Sequence, residues 1–403
     1  MKTLPISKMR KEQLDAAFSA IFGNNPEGYF SAPGRTEISG NHTDHQRGIV
    51  LAAAVNLDTQ AAVHRNHSDV IRIQSMGYPM AEIDLKVLTP VAAECNTTAA
   101  LIRGVAARFV EMGCPVQGFD AYVESTVLPG SGLSSSAAFE VLVGTIINHL
   151  FWDGKVSQPE IAKIGQYSEN VFFGKPCGLM DQTASAVGGL VAIDFADKEH
   201  PIIRPVNFDF STTGHALCII DSQADHADLT DEYAAITQEL KAICAYFGKE
   251  VLTQVAEEEF YAAIADLRKA CGDRAVMRAI HVFNENRRVP QQVVCLEEGD
   301  FDTFLRMETE SGRSSWMYLQ NVIPTGSIGA QAVAVALALC ENALGGRGAY
   351  RVHGGGFAGT VQAFVPYDML EQFRTKIDTA LGEGACHVLG IRSQGGVKME
   401  VAE

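Results

Sequence analysis

A run of glycine and serine at residues 128–136, Leu128-Pro129-Gly130-Ser131-Gly132-Leu133-Ser134-Ser135-Ser136, constrains this chain more than any other feature. Before it, Phe119, Ala121, Val123 and Ser125 alternate with Asp120, Tyr122, Glu124 and Thr126, the two-residue period of a strand. After it, residues 137–150 read as an apolar helix. A strand that feeds a helix through small residues lets backbone approach a ligand closely. It also leaves the first helical N–H groups free as an anion site. Serine hydroxyls can donate to phosphate or bind Mg²⁺, which takes oxygen ligands. A serine-capped helix after a flexible turn is the competing reading. The loop is not a Walker A sequence, because Gly174-Lys175-Pro176 and Gly248-Lys249-Glu250 lack the following Ser or Thr. No G-x-G-x-x-G follows a strand, which leaves a dinucleotide fold unsupported.

Two further glycine-bearing segments stand out. Pro33-Gly34-Arg35-Thr36-Glu37-Ile38-Ser39-Gly40-Asn41-His42-Thr43-Asp44-His45-Gln46-Arg47-Gly48 packs carboxylate, imidazole, amide and guanidinium groups between two apolar strands. A polyol substrate needs such a set, with the guanidinium for developing phosphate charge. A solvated loop and a metal site on His42, Asp44 and His45 are the alternatives. The other segment, His353-Gly354-Gly355-Gly356-Phe357-Ala358-Gly359, places three consecutive glycines between strands. Close approach of backbone to a nucleotide accounts for all three, whereas a tight hairpin accounts for two. Glu169 and Cys177-Gly178-Leu179-Met180-Asp181-Gln182 lie between these segments. Asp181 near an arginine could accept a hydroxyl proton, with Arg35 keeping it ionised, or it could simply cap the short helix that follows.

At 403 residues the chain exceeds the size at which one core keeps growing, so two domains are expected. Helices are expected at residues 9–22, 98–112, 137–150, 159–173, 231–247, 275–288, 302–312 and 329–344. Strands are expected at 49–63, 70–75, 81–85, 119–127, 190–195, 216–221, 350–353 and 360–365. The mixture suggests α+β, and the polar, Pro-containing stretch at 197–213 suggests a boundary between residues 195 and 215. The formal charge of −16 disfavours nucleic acid and anionic membranes as partners. No stretch approaches the roughly 20 uncharged apolar residues of a membrane span, and the first residues do not read as a signal peptide. Nine scattered cysteines without a C-x-x-C pair suggest reduced thiols in the cytoplasm.

In this order, the segments resemble the motifs of the GHMP small-molecule kinases, and most closely those of galactokinases. That family's sugar motif reads G-R-x-x-x-x-G-E-H-T-D-Y, matched by Gly34-Arg35 and Gly40-Asn41-His42-Thr43-Asp44-His45. Its phosphate loop P-x-G-x-G-L-S-S-S-A resembles residues 129–137, one residue shorter or shifted before the glycines. C-G-I-M-D-Q resembles residues 177–182 with leucine for isoleucine, and G-G-G-F-G-G resembles 354–359 with Ala358 for a glycine. The resemblance implies a two-domain α+β GHMP kinase fold, divided into 1–200 and 201–403, with the active site in the interdomain cleft. It implies an ATP-dependent sugar kinase, with galactose phosphorylated at its anomeric hydroxyl. ATP would lie on Gly130, Ser131, Gly132, Leu133, Ser134, Ser135 and Ser136, and Mg²⁺ on Ser136 and Glu169. Asp181 would be the base or electrostatic anchor for the reacting hydroxyl, partnered by Arg35; Asn41, His42, Asp44, Gly178 and Tyr233 would join both in binding sugar.

The chain departs from the pattern mainly around the sugar. Asn41 replaces a glutamate expected to hold the primary hydroxyl, and His45-Gln46 replaces Tyr-Asn. Asp221-Ser222-Gln223-Ala224-Asp225-His226 only partly resembles D-S-N-V-R-H, Tyr233 lacks the usual arginine pair after it, and S-C-P-E-L-D is missing near Pro324-Thr325-Gly326. Removing a negative charge beside the sixth carbon would suit a carboxylate there, which makes galacturonate the alternative substrate. A catalytically silent sugar and ATP sensor is the non-enzyme alternative. The presence of Arg35, Ser136, Glu169 and Asp181 together favours an enzyme. The oligomeric expectation stays between monomer and weak dimer.

Overall fold

The computed structural model describes residues 4–127, 132–175, 177–197, 200–224 and 229–401. Among these residues, two sheets carry the fold, one of nine strands and one of four. The large sheet is centred on an antiparallel pair, Gly28–Ser39 and the 17-residue strand Ile49–Arg65. One half of the long strand pairs with Phe119–Ser125 and the other with Leu190–Asp194.

The apolar run at the start of Ile49–Arg65 feeds two cores at once. Val50 and Ala52 pack beneath the helices Thr98–Glu111, Ser135–Phe151 and Gln158–Tyr167. Leu51 and Ala53 point the other way, into a core shared with Leu217, Val289, Phe304 and Phe364 from the second half of the chain. A strand buried on both faces has no solvent side, so it reads as continuous apolar sequence. The four-stranded sheet has the order Ala349–Val352, Thr360–Pro366, His215–Asp221, Cys386–Leu389, all antiparallel. Its outer face is covered by Ala332–Leu344 and Leu370–Leu381. Its inner face, through Leu217 and Phe364, meets the large sheet.

Several expectations needed correction. The division at residue 200 separates strands that pair with one another, since Ile202–Val206 lies against Leu190–Asp194 in the large sheet. Val397–Val401 also returns from the far end of the chain to pair with Gly28–Ser39 and Leu4–Ile6. Residues 34–39 are not loop but the end of the strand Gly28–Ser39, with register shifts between Pro33 and Arg35 and between Glu37 and Ser39. The helix expected to stop at residue 288 continues as Asp273–Glu298 through Pro290. Val289, Val293 and Leu296 are buried on it, and that packing outweighs the hydrogen bond proline forfeits. The nine cysteines are all unpaired, and among the described residues no helix is long and apolar enough to cross a membrane.

Candidate active site

The loop after residue 131 and the end of the Gly28–Ser39 strand meet at one carboxylate. Arg35 grips Asp181 with two hydrogen bonds, Nε to Oδ1 at 2.8 Å and Nη2 to Oδ2 at 2.7 Å. Ser134 Oγ donates to the same Oδ2 at 2.8 Å. Arg35 Nη1 donates to the Gly132 carbonyl, and the Arg35 N–H to the Leu133 carbonyl at 3.0 Å, so the arginine joins the loop to Asp181. Asp181 lies in the first turn of Met180–Val187, yet its carboxylate caps no N–H there, so the capping reading fails. Burial alone would push the Asp181 carboxyl up; the Arg35 charge and hydrogen bonds, with the Ser134 hydroxyl, reverse this and hold it below the usual carboxylate value.

Ser134 sits in the left-handed region at φ 56°, as the residue before the 17-residue helix Ser135–Phe151. Its hydroxyl is turned to Asp181 and caps nothing, so the helix starts without a side-chain cap. The orphan N–H groups of that start face the loop. Gly132, at φ 73°, comes close to the His353 ring, 3.2 Å from where a β-carbon would stand. Leu133 is buried in the core and offers the loop its backbone only. Gly130 and Ser131 lie outside the described residues.

Behind this loop lies an acidic cluster. Gln182 Nε2 donates to Glu140 Oε2 at 3.0 Å and to Glu169 Oε2 at 2.9 Å. Lys175 Nζ stands 3.9 Å from Glu169 Oε1, and the buried Glu140 Oε1 has no partner. Burial, then the Glu169 charge, pushes Glu140 well above the ordinary glutamate value. Ser136 is one helical turn before Glu140 on the same face. Gln182 thus joins Glu169 to Glu140, which lies one helical turn from Ser136.

The sugar motif forms the turn after Gly40, where a β-carbon would lie 2.5 Å from the Ile49 carbonyl oxygen. Asn41 is fully buried, with its carboxamide turned to protein partners. Its Nδ2 donates to Glu37 Oε1 at 2.9 Å and the Gly354 carbonyl at 2.6 Å, and its Oδ1 accepts from Asn321 Nδ2 at 2.9 Å. His42, in the left-handed region at φ 59°, reaches the Gly355 carbonyl. Asp44 packs against Gly178, where a β-carbon would stand 3.0 Å from Asp44 Oδ2. His42 and His45 bond each other rather than converging with Asp44 on an ion.

The glycine triplet is shaped by protein, not by a nucleotide as expected. A β-carbon at Gly355 would stand 2.7 Å from the Tyr233 ring, and one at Gly356 2.0 Å from the Asn321 carbonyl oxygen. Tyr233 Oη donates to the Gly356 carbonyl at 2.9 Å, and its ring meets Phe357 edge-on. Only Gly354 has open space where a β-carbon would go.

Sequence reasoning missed the buried residues that hold these segments together. His353 bridges Thr36 Oγ1 at 2.9 Å and Thr360 Oγ1 at 2.8 Å; burial, then the Arg35 and Arg351 charges, lowers it to about 3. His281 Nε2 meets the Asn41 carbonyl at 2.9 Å. Arg351 donates to Glu37 Oε1 at 3.1 Å and to the Ile38 carbonyl. Arg351 and His353 directly precede the glycine triplet, so only their position next to it could have flagged them.

A carboxylate clamped by arginine and serine beside an uncapped helix start, in two facing sheets, defines the class. Residues 100–189 match the GHMP kinases N terminal domain, and residues 16–65 match the Galactokinase galactose-binding signature. The galactokinase of Actinobacillus pleuropneumoniae is 32% identical over 91% of this chain and 92% of its own length. That of Streptomyces coelicolor is 31% identical over 86% and 87%. The crystal structure of Lactococcus lactis galactokinase complexed with galactose superposes with a TM-score of 0.79 at 24% identity, covering 96% of this chain and 99% of that one. Within the GHMP kinases, this chain belongs to the galactokinase family, enzymes that transfer a phosphoryl group to an alcohol.

Proposed function

We propose that the protein transfers the γ-phosphoryl group of ATP to the anomeric hydroxyl of galactose, giving galactose 1-phosphate and ADP. The observation that carries this reading is the Asp181 carboxylate, clamped by Arg35 and Ser134 at the mouth of an uncapped helix. Gly132, Ser135 and Ser136, with the helix N–H groups, hold the ATP phosphates. Asp181 accepts a hydrogen bond from the sugar hydroxyl and aims its oxygen at the γ-phosphorus. With its pKa held down, Asp181 is a weak base, so the proton moves to it late, as the new O–P bond forms. A loose phosphoryl-transfer transition state needs alignment and charge compensation more than early deprotonation. Arg35 keeps Asp181 ionised and adds positive charge beside the transferring group.

Ser136 and Glu169 suit Mg²⁺, being hard oxygen donors next to a buried glutamate oxygen that has no partner. When bound there, Mg²⁺ would offset charge on the β- and γ-phosphates. His42, Asp44 and Tyr233 supply polar groups to the sugar, and Gly178 leaves room beside Asp44. Asn41 acts behind them, tying Glu37 to Gly354. Because its carboxamide is satisfied inside the protein, the lost-charge argument for galacturonate has no support, and galactose is the preferred substrate. ATP chemistry and nine unpaired thiols suit a cytoplasmic setting.

The test is ATP consumption with Mg²⁺ across galactose, galacturonate, arabinose, glucose and N-acetylgalactosamine. Preference for galactose is expected. Preference for galacturonate would replace the substrate, and inactivity on all five would favour a silent sensor.

A further inference from the structure

Four hydrogen bonds run in single file between two segments of the second half of the chain, passing through the sugar motif of the first. The Leu252 N–H lies 2.9 Å from Gln46 Oε1. A backbone N–H can only donate, so this end of the Gln46 amide is its oxygen and the other end is NH₂. That nitrogen, Nε2, is 3.3 Å from His45 Nδ1. Since an amide nitrogen only donates, His45 Nδ1 must be the bare acceptor, and the neutral ring carries its proton on Nε2. His45 Nε2 is 3.4 Å from His42 Nδ1, with the rings edge-on at 74°. His42 Nδ1 therefore accepts in its turn, leaving the His42 proton on Nε2, 3.1 Å from the Gly355 carbonyl. A carbonyl can only accept, so the file closes on itself with one consistent set of protons.

We infer that His45 and Gln46 are positioning residues that lock His42 as the neutral Nε2–H tautomer and latch the sugar motif to the glycine triplet through Gly355.

A proton added to either ring would set two N–H groups face to face and break the file. Surroundings reinforce the neutral state: Gln46 is buried, and burial lowers His45, with His42 and Lys241 acting in the same direction and Asp44 against it. Thr253 Oγ1 donates to the Gln46 backbone carbonyl at 3.0 Å and Cys244 Sγ to its Oε1 at 3.7 Å, so with Leu252 three contacts anchor the file at its start. At its end, Asn321 Nδ2 donates to the second lone pair of the Gly355 carbonyl at 3.2 Å. His42 is held in the left-handed region, a conformation that persists only where its surroundings impose it. His45-Gln46 is also where the sequence departs from the galactokinase sugar motif. Its effect on the reaction rests on the sugar-kinase reading above, with His42 against the sugar.

The decisive variant is Gln46→Glu in the full-length protein. Its carboxylate still accepts from Leu252 but offers no N–H to His45 Nδ1, which must then carry a proton. Ring-nitrogen NMR of ¹⁵N-histidine-labelled protein reads the tautomers, with His42→Gln and His45→Gln spectra assigning the two rings. In the wild type both rings should be neutral with protons on Nε2; in Gln46→Glu, His45 should be protonated at Nδ1. The sugar KM should rise about tenfold while the ATP KM stays within about twofold, the size of effect typical of an outer-shell partner. His45→Gln, whose amide can accept at one end and donate at the other, should restore sugar KM to within about threefold of wild type. Should Gln46→Glu fail to fold, His45→Phe breaks the file without adding charge and should show the same KM split. A wild-type proton on Nδ1 of either ring would overturn the inference, as would an unchanged sugar KM in Gln46→Glu or His45→Phe. A wild type that phosphorylates no sugar would defeat the proposed function instead, while the spectra still decide the tautomers.

Discussion

Replacing Asp181 by Asn tests the centre of the mechanism because the structure dictates how the substitution must fail. The carboxylate accepts three hydrogen bonds: one from Arg35 Nε on Oδ1, and two, from Arg35 Nη2 and Ser134 Oγ, on Oδ2. An amide oxygen placed at Oδ2 keeps both bonds there, but its NH₂ then faces the Arg35 Nε–H donor. Placed at Oδ1, it keeps one and turns NH₂ toward the other two donors. Either way Arg35 loses its counter-charge and one arm of its grip. Losing charge-assisted hydrogen bonds of this kind costs about 1.5 to 3 kcal/mol of stability, reduced here because the Asp181 side chain is 31% exposed. Loss of a proton acceptor should lower kcat by about 100- to 10,000-fold. The effect on turnover therefore exceeds anything the fold suffers. The assay is steady-state ADP release with galactose, alongside thermal unfolding and ATP binding. Asp181→Asn should unfold cooperatively, bind ATP within about threefold of wild type and turn over at least about 100-fold slower. A kcat within about threefold of wild type would remove Asp181 from the reaction.

Ser134→Ala removes one of the groups that lower Asp181, so the acidic limb of kcat against pH should move to higher pH; an unmoved limb would separate Ser134 from the reacting carboxylate. Gly356→Ala would force a β-carbon to within 2.0 Å of the Asn321 carbonyl oxygen at φ 80°, costing more than about 2 kcal/mol in denaturant unfolding, whereas Gly354→Ala, with open space, should cost only its φ strain, about 1 kcal/mol. Glu308 is raised to about 8 by burial, partly offset by Arg351 and Arg288. Its folded value exceeds its unfolded one, so the protonated form is favoured in the fold and stability falls as pH rises toward 8. The buried His353 and His281 act oppositely, but below their unfolded value of about 6.5. Between pH 6.5 and 8 the wild type should therefore lose stability with rising pH, through Glu308 and the buried Glu140 together, and Glu308→Gln should make that slope shallower; an unchanged slope would assign it elsewhere.

What was legible in the sequence divides according to where the partner atoms come from. Helix Lys8–Phe22 and its stop at Gly23 needed only local information, as did the strand–loop–helix around residue 132. The Arg35–Asp181 pair was legible through chemistry, since a carboxylate and a guanidinium in family motifs seek each other. Residues 34–39 were not legible as strand because their polarity disguised a two-residue period. Thr36 faces Gln362 and His353, Glu37 faces Arg351, and Ser39 and Gly40 face Glu285. Each of these partners is more than 200 residues away, so no local window holds the reason for the polarity. The protein partners of Asn41 were illegible for the same reason: Asn321 and Gly354 come from the far end of the chain.

The glycine triplet sharpens the distinction between residues that touch substrate and residues that place them. Gly355 and Gly356 must lack side chains because Tyr233 and Asn321 occupy that space, and their carbonyls then receive His42, Asn321 and Tyr233. The third motif thus works by offering backbone acceptors to the sugar motif and to the second half of the chain. A substitution at Gly355 or Gly356 should act through the sugar, since the contacts it disturbs lead to His42, Asn41, Asn321 and Tyr233, whereas the loop at residues 132–136 meets the neighbouring His353. Gly355→Ala displaces the Tyr233 ring, which would lie 2.7 Å from the new carbon, and should raise the sugar KM at least about tenfold while ATP KM moves less than about twofold. Measuring both constants on that variant decides the matter: an ATP KM that rises as much as the sugar KM would return the triplet to the nucleotide.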